Sequence, residues 1–180
     1  MTTPLLPLES MSDRHYGITS ALAESYLEAA RVCLDRHHES PQFFLLKGDS
    51  MEQGAIVRWT PADERINAAW GNSDDATRDG AYACAIATSE LILGLFVMRR
   101  AERLTGADYY LAPNDRAAED LERCFRLEVS GTNLDAAEVR RRLVIKMEQA
   151  RAGRSNLPAL VIVVGFKVKL ILLQFIDEIL

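Results

Sequence analysis

From about Asp74 to Leu104 the chain is apolar on most sides of a helix, and this run limits what it can fold into. Ala76, Ala81, Ala83, Ala85, Ile86, Ala87, Leu91, Leu95 and Met98 leave no broad polar face, so the helix belongs in an interior. Its small alanines suit close approach to a sheet or to a second helix. The loop Gly71-Asn72-Ser73-Asp74-Asp75 supplies caps at its start. Thr105-Gly106 stops it, because glycine tolerates the left-handed backbone at a helix end. Glu90 is a lone carboxylate in that run, costly if ionised and unpaired. It either faces a wetter stripe or reaches a site that needs it. Arg99, Arg100 and Arg103 near the end complement the helix dipole, and they are also placed to line a phosphate path.

Strand-type segments follow. Ala107-Asp108-Tyr109-Tyr110-Leu111-Ala112 is one, and Arg123 to Gly131 is another. The polar, acidic interval Asn114 to Leu121 between them reads as a loop or a short exposed helix. In the second strand Cys124, Arg126, Glu128 and Ser130 share one face, and Phe125, Leu127 and Val129 the other. A face with Arg, Glu and Ser together is either open to solvent or a functional cleft. As a surface pair, Arg126 and Glu128 are worth at most about 1 kcal/mol. Asn133 or Asp135 caps a further helix, Asp135 to Ala152, with Val139, Leu143, Lys146, Met147 and Ala150 broadly on one side. Arg140, Arg141 and Arg142 form a basic patch on it. Lys146 can lay its apolar stem along the core, with Gln149 one turn beyond. An exposed amphipathic face is the plainer account of Gln149.

Upstream, Thr19 or Ser20 caps a helix running to about Arg36, and His37 and His38 sit at its dipole-favoured end. Adjacent histidines project apart, so they do not suggest a metal pair. Two apolar runs, Gln42 to Asp49 and Gly54 to Pro61, read as a β-hairpin. Gly48-Asp49-Ser50 between them is a turn, since no Gly-Lys-Ser/Thr follows to make a phosphate loop. Ala62 to Trp70 reads as a short helix. After Pro158, Leu160 to Phe166 has the continuous apolar character of a buried strand. Lys167, Lys169 and Gln174 interrupt the rest too often for a membrane span. A second strand, with or without a short terminal helix, is expected there. Its apolar Phe175, Ile176, Ile179 and Leu180 suggest an edge covered by a homo-oligomer or a partner protein.

The 180 residues suit one domain: an extended arm over 1–16, a helix plus hairpin over 17–73, and a core over 74–180. The fold class expected is α/β (or α+β), a central mixed sheet flanked by helices. A net charge of −5 argues against a broad nucleic-acid footprint but leaves room for a local basic groove. Cys33, Cys84 and Cys124 are odd in number and lie in apolar or helical settings. They suggest buried thiols, neither a disulfide framework nor zinc, in a cytoplasmic protein.

If the strands carrying Asp108 and Glu128 lie side by side, their carboxylates converge at the sheet edge. An oxygen-only pair of this kind suits Mg²⁺. The order of helix, strand with Asp, strand with Glu-x-polar, helix and strand resembles the PD-(D/E)XK (restriction-endonuclease-like) nucleases over roughly Arg78 to Phe166. The resemblance implies that Asp108 and Glu128 bind the divalent ion. The family's water-activating lysine, two residues after the Glu, is here Ser130. Lys146 on the next helix is placed to supply the missing cation, as happens when that lysine migrates within the family. Gln149 lies one turn further on, and Glu90 corresponds to the acidic residue often found on the preceding helix.

The leading expectation is a Mg²⁺-dependent nuclease acting on DNA before RNA. The alternative is an inactive nuclease-fold subunit that binds nucleic acid or a partner protein, for example in bacterial defence or a mobile element. A purely structural partner protein is a third possibility.

Overall fold

The computed structural model describes residues 2–113 and 121–176. An arm with a 3-10 turn at Met11–Asp13 leads into α1 (Ser20–Asp35), where the Thr19 hydroxyl accepts the Leu22 amide. Strands β1 (Gln42–Lys47) and β2 (Glu52–Val57) form the expected hairpin, and α2 (Glu64–Ala69) is short. Helix α3 (Ser73–Leu93) starts on Asn72, whose side chain accepts the amides of Asp74 and Asp75. Then come β3 (Leu95–Arg100), β4 (Tyr109–Pro113), β5 (Phe125–Thr132), α4 (Ala136–Ala152), β6 (Ala159–Gly165) and β7 (Leu170–Ile176). Together they make an α/β fold, a seven-stranded mixed open sheet packed against four helices. Its strand order is β2-β1-β7-β6-β5-β4-β3.

The helix expected to reach Leu104 ends at Leu93. Gly94 takes the left-handed conformation (φ 62°) and turns the chain into β3, which pairs antiparallel with β4. Leu95 to Met98 continue the apolar pattern of α3, so a buried helix and a buried strand look alike there. Arg99 and Arg100 therefore lie on a strand, and the dipole account of them falls away.

Alternate residues of β6 fall into two clusters. Leu160, Ile162 and Val164 pack with α1 and α3, and Ala159, Val161 and Val163 pack with α4. Burial on both faces is why this strand is apolar throughout. In β5 the same alternation turns Leu127 and Val129 toward α3. Arg126, Glu128 and Ser130 therefore face α4. That face is covered: Arg126 is 1% exposed and Glu128 7%, so the expected solvent-exposed Arg126–Glu128 pair does not form. Helix α3 sits tightly on the end of β5. A Cβ on Gly131 would lie 2.7 Å from the Ala81 Cβ and 2.8 Å from the Thr77 carbonyl oxygen.

The arm touches both edges of the sheet. Leu6 donates to the carbonyl of Ile56 on β2, and Gly17 donates to that of Val97 on β3. Leu6 and Leu8 are buried, while Leu5 is half exposed. Such cover blunts edges that would otherwise pair with other chains. Strand β7 lies between β6 and β1 and pairs with β1 over Leu170–Leu172. Further along it Ile176 is buried and Phe175 is 39% exposed, and Ile179 and Leu180 lie outside the described residues. No helix among the described residues is long and apolar enough to cross a membrane.

Candidate active site

Strand β5 outruns β4. The last pairs are Tyr109↔Leu127, Tyr110↔Arg126 and Leu111↔Phe125. Just before β4 the Asp108 amide donates to the Leu127 carbonyl at 2.7 Å, which sets Asp108 near enough for its charge to act on Glu128. Beyond that point the amide of Val129 has no β4 partner. The Asp108 carboxylate takes it through Oδ2 at 2.9 Å, and Oδ1 accepts the Tyr82 hydroxyl from α3 at 2.8 Å. Asp108 is thus held from two sides. From the other face α4 brings Lys146 over Glu128, with Nζ 2.5 Å from Oε1. Their side chains are 24% and 9% exposed, a mostly desolvated pair. Burial pushes the Glu128 carboxyl above its ordinary range, and the neighbouring Asp108 charge adds to this. Lys146 and, less strongly, Arg100 pull it back.

A cleft of about 640 Å³ opens beside this group, lined by Thr77 and Arg78 of α3, Ser130, Asn133, and Arg142 and Lys146 of α4. Arg142 donates to the Ser130 hydroxyl at 3.3 Å and to Glu138 at 2.8 Å. Arg141 also bonds Glu138 and, with Arg142, holds that carboxyl well below its usual range. The basic patch expected on α4 is therefore partly neutralised by its own helix.

Arg78 also lines a second cleft of about 640 Å³ with Tyr26, Tyr82, Arg100 and Tyr109. The hydroxyls of Tyr26 and Tyr109 bond each other. Arg100 lies over the rings of Tyr109 and Tyr82, at 4.6 and 5.2 Å from their centroids. Burial keeps Tyr26 and Tyr82 neutral, pushing both well above the ordinary phenol range. Sequence reasoning missed the tyrosines. The available signal was Tyr82 inside an alanine-rich buried helix, where a phenol needs a polar partner.

Of the residues singled out from the sequence, Asp108, Glu128, Ser130 and Lys146 come together. Glu90 does not join them. It is paired with Arg14 at 2.7 Å and His15 at 2.9 Å, because the N-terminal arm supplies the partners an apolar helix lacks. It also lies eight residues past Tyr82, about 12 Å along the helix axis. Gln149 is exposed, and its carbonyl packs against Gly106. His37 and His38 have separate bonds, to Asn133 at 3.1 Å and to the Phe166 carbonyl at 2.8 Å, as divergent neighbours should. Burial pushes the Cys33 thiol up to about 11, which suits an inert thiol.

Among the described residues no third His, Cys, Asp or Glu gathers with the carboxylate pair to hold a metal. Two carboxylates with spare lone pairs still fit Mg²⁺, which keeps several waters and needs only one or two protein ligands. The set does not fit zinc, which takes three or four nitrogen and sulfur ligands. No protein-family model, no curated protein and no solved structure matches this chain.

Proposed function

We propose that this chain is a Mg²⁺-dependent nuclease of the PD-(D/E)XK type, hydrolysing phosphodiester bonds of DNA before RNA in the cytoplasm. The observation that carries the reading is Lys146, delivered by α4 onto Glu128, which feels the charge of the neighbouring Asp108. The order α3-β3-β4-β5-α4-β6 supports it, with Asp108 at the start of one strand and Glu128 within the next.

Asp108 and Glu128 would hold the ion, which when bound supplies a water of lowered pKa and offsets phosphate charge. Tyr82 and the Val129 amide fix the Asp108 carboxylate so that it cannot swing away. Lys146 stands where the family's lysine would act, positioned to orient an attacking water and to stabilise charge developing on phosphate oxygens. Ser130 leaves room beneath Arg142 on the face where a strand lysine would crowd α4. The inactive-subunit reading, in which the chain binds nucleic acid or a partner protein in a defence or mobile-element system, is favoured by the closed set of bonds around Asp108 and Lys146.

The test is cleavage of single- and double-stranded DNA and of RNA, with Mg²⁺ or Mn²⁺ against EDTA. Activity is expected with metal only, lost in D108N and E128Q and lowered about 10²- to 10⁴-fold in K146A. Metal should raise thermal stability by about 2.7 kcal/mol at a hundredfold excess over its dissociation constant. No cleavage together with a metal-independent melting temperature sinks the enzyme reading and leaves the inactive subunit.

A further inference from the structure

We propose that Arg100, mounted on Tyr26, Tyr82 and Tyr109, is a phosphate-binding residue that holds a backbone phosphate of the nucleic acid beside the Asp108–Glu128 pair. The inference rests on the nuclease reading for the identity of the ligand as a nucleic-acid strand. The site itself stands on its own geometry.

Of the three arginines that line the two clefts, Arg78 is paired with Asp75 and Asp79, and Arg142 with Glu138. Arg100 forms no ion pair among the described residues: its side-chain hydrogen bonds and ring contacts there are with tyrosines, and the Glu128 charge reaches it only at longer range. A guanidinium carries five N–H donors and stays charged. Arg100 spends two of them on the hydroxyls of Tyr26 at 3.3 Å and Tyr82 at 3.5 Å. Both contacts are at or beyond the long end for N–H···O. Most of its donor capacity is therefore free, and the residue is exposed at the wall of the second cleft. Ring faces hold a planar cation without neutralising it. The result is a positioned fork with no carboxylate in contact, of the kind that takes phosphate oxygens in pairs.

Its place matters as much as its charge. The Tyr82 hydroxyl that receives Arg100 is the one that donates to Asp108. Arg100 also pairs with Tyr109 across β3 and β4, next in the chain to Asp108. One hydroxyl thus separates the arginine from the carboxylate. Arg78 lines both clefts, so they adjoin at that residue. A backbone passing the carboxylates from the Lys146 side would present its next phosphates toward Arg100.

The experiment is fluorescence anisotropy with labelled single-stranded and duplex DNA in EDTA, on the full chain, from low to moderate salt, with inorganic phosphate as competitor. Arg100→Met should weaken DNA binding about tenfold and lower the salt slope by about 1. Arg100→Lys should keep the slope and recover part of the affinity, since it keeps the charge and loses the fork. Melting temperatures of both variants show that the fold is intact, and Arg100→Lys carries the test if Arg100→Met unfolds. Unchanged affinity and slope in a folded Arg100→Met overturn the inference even if the wild type cleaves DNA. A wild type that responds to free phosphate but binds no DNA also overturns it. Lost binding in Arg100→Met with no cleavage by any form supports it while removing the nuclease reading.

Discussion

Arg126 is a buried cation that ties together the three segments carrying the site, and replacing it with methionine should cost more than any surface change. Its Nε donates to the Leu157 carbonyl, and its Nη1 to those of Thr105 and Ala150, each at 2.8 Å. Thr105 lies three residues before Asp108, Arg126 two before Glu128, and Ala150 four after Lys146. Hydrogen bonds to charged groups contribute about 1.5–3 kcal/mol each, so three amount to roughly 4.5–9 kcal/mol gross. Removing the ion also returns its desolvation cost of several kcal/mol, and breaking buried charge interactions costs about 3–5 kcal/mol net. For a chain of this size that is a fall in Tm of about 6–20 °C. Urea unfolding followed by circular dichroism measures it, and Arg126→Lys should fall between the wild type and Arg126→Met. If Arg126→Met unfolds within about 1 kcal/mol of the wild type, the three carbonyls do not depend on it and the reasoning fails.

Two further outcomes follow from protonation. Glu128 is held above its ordinary pKa, so its contribution to stability is full at low pH and is lost as the pH rises through the folded value. In EDTA, Glu128→Gln should therefore gain stability relative to the wild type between pH 4 and pH 7. A difference in Tm that does not change with pH would show that Lys146 fully compensates the charge. His15 is shifted the other way, lowered from 6.5 chiefly by burial, with Glu90 opposing and Arg14 assisting. Its Nδ1 accepts the Val97 amide at 3.0 Å, so the neutral ring keeps its proton on Nε2, facing Glu90. Below pH 6.5 the unfolded chain takes up a proton that the fold resists, so stability should fall with acid. His15→Gln should flatten that fall, and an unaltered slope from pH 7 to 5 would refute the assignment.

The fold was legible where one signal spoke alone. The Ser20–Asp35 helix, the hairpin and the buried β6 follow from caps, periodicity and a continuous apolar run. The end of α3 was not legible, because apolar residues continue on both sides of Gly94 and only its backbone conformation separates helix from strand. The approach of Asp108 and Glu128 could be expected, since short strands that follow each other usually pair. The bonds of Glu90 to Arg14 and His15 could not, because those contacts span more than 70 positions and no local pattern encodes them. The tyrosine mount of Arg100 is of the same kind, assembled from α1, α3, β3 and β4.

The charge balance of the site bears on how it would work. Asp108 and Glu128 are met by Lys146 in contact and by Arg100 at longer range, so two negative groups already face two positive ones. A divalent cation arriving alone would leave an excess of positive charge, and a nucleic-acid strand arriving alone would set phosphates against the carboxylates. Arriving together, they offset each other at close range, where partial burial weakens solvent screening. On the nuclease reading, metal and substrate therefore bind cooperatively. By linkage, each must strengthen the other by the same factor. On that reading the raised pKa of Glu128 is the cost of holding the two carboxylates near each other, a cost of the kind found at sites where chemistry is set above stability.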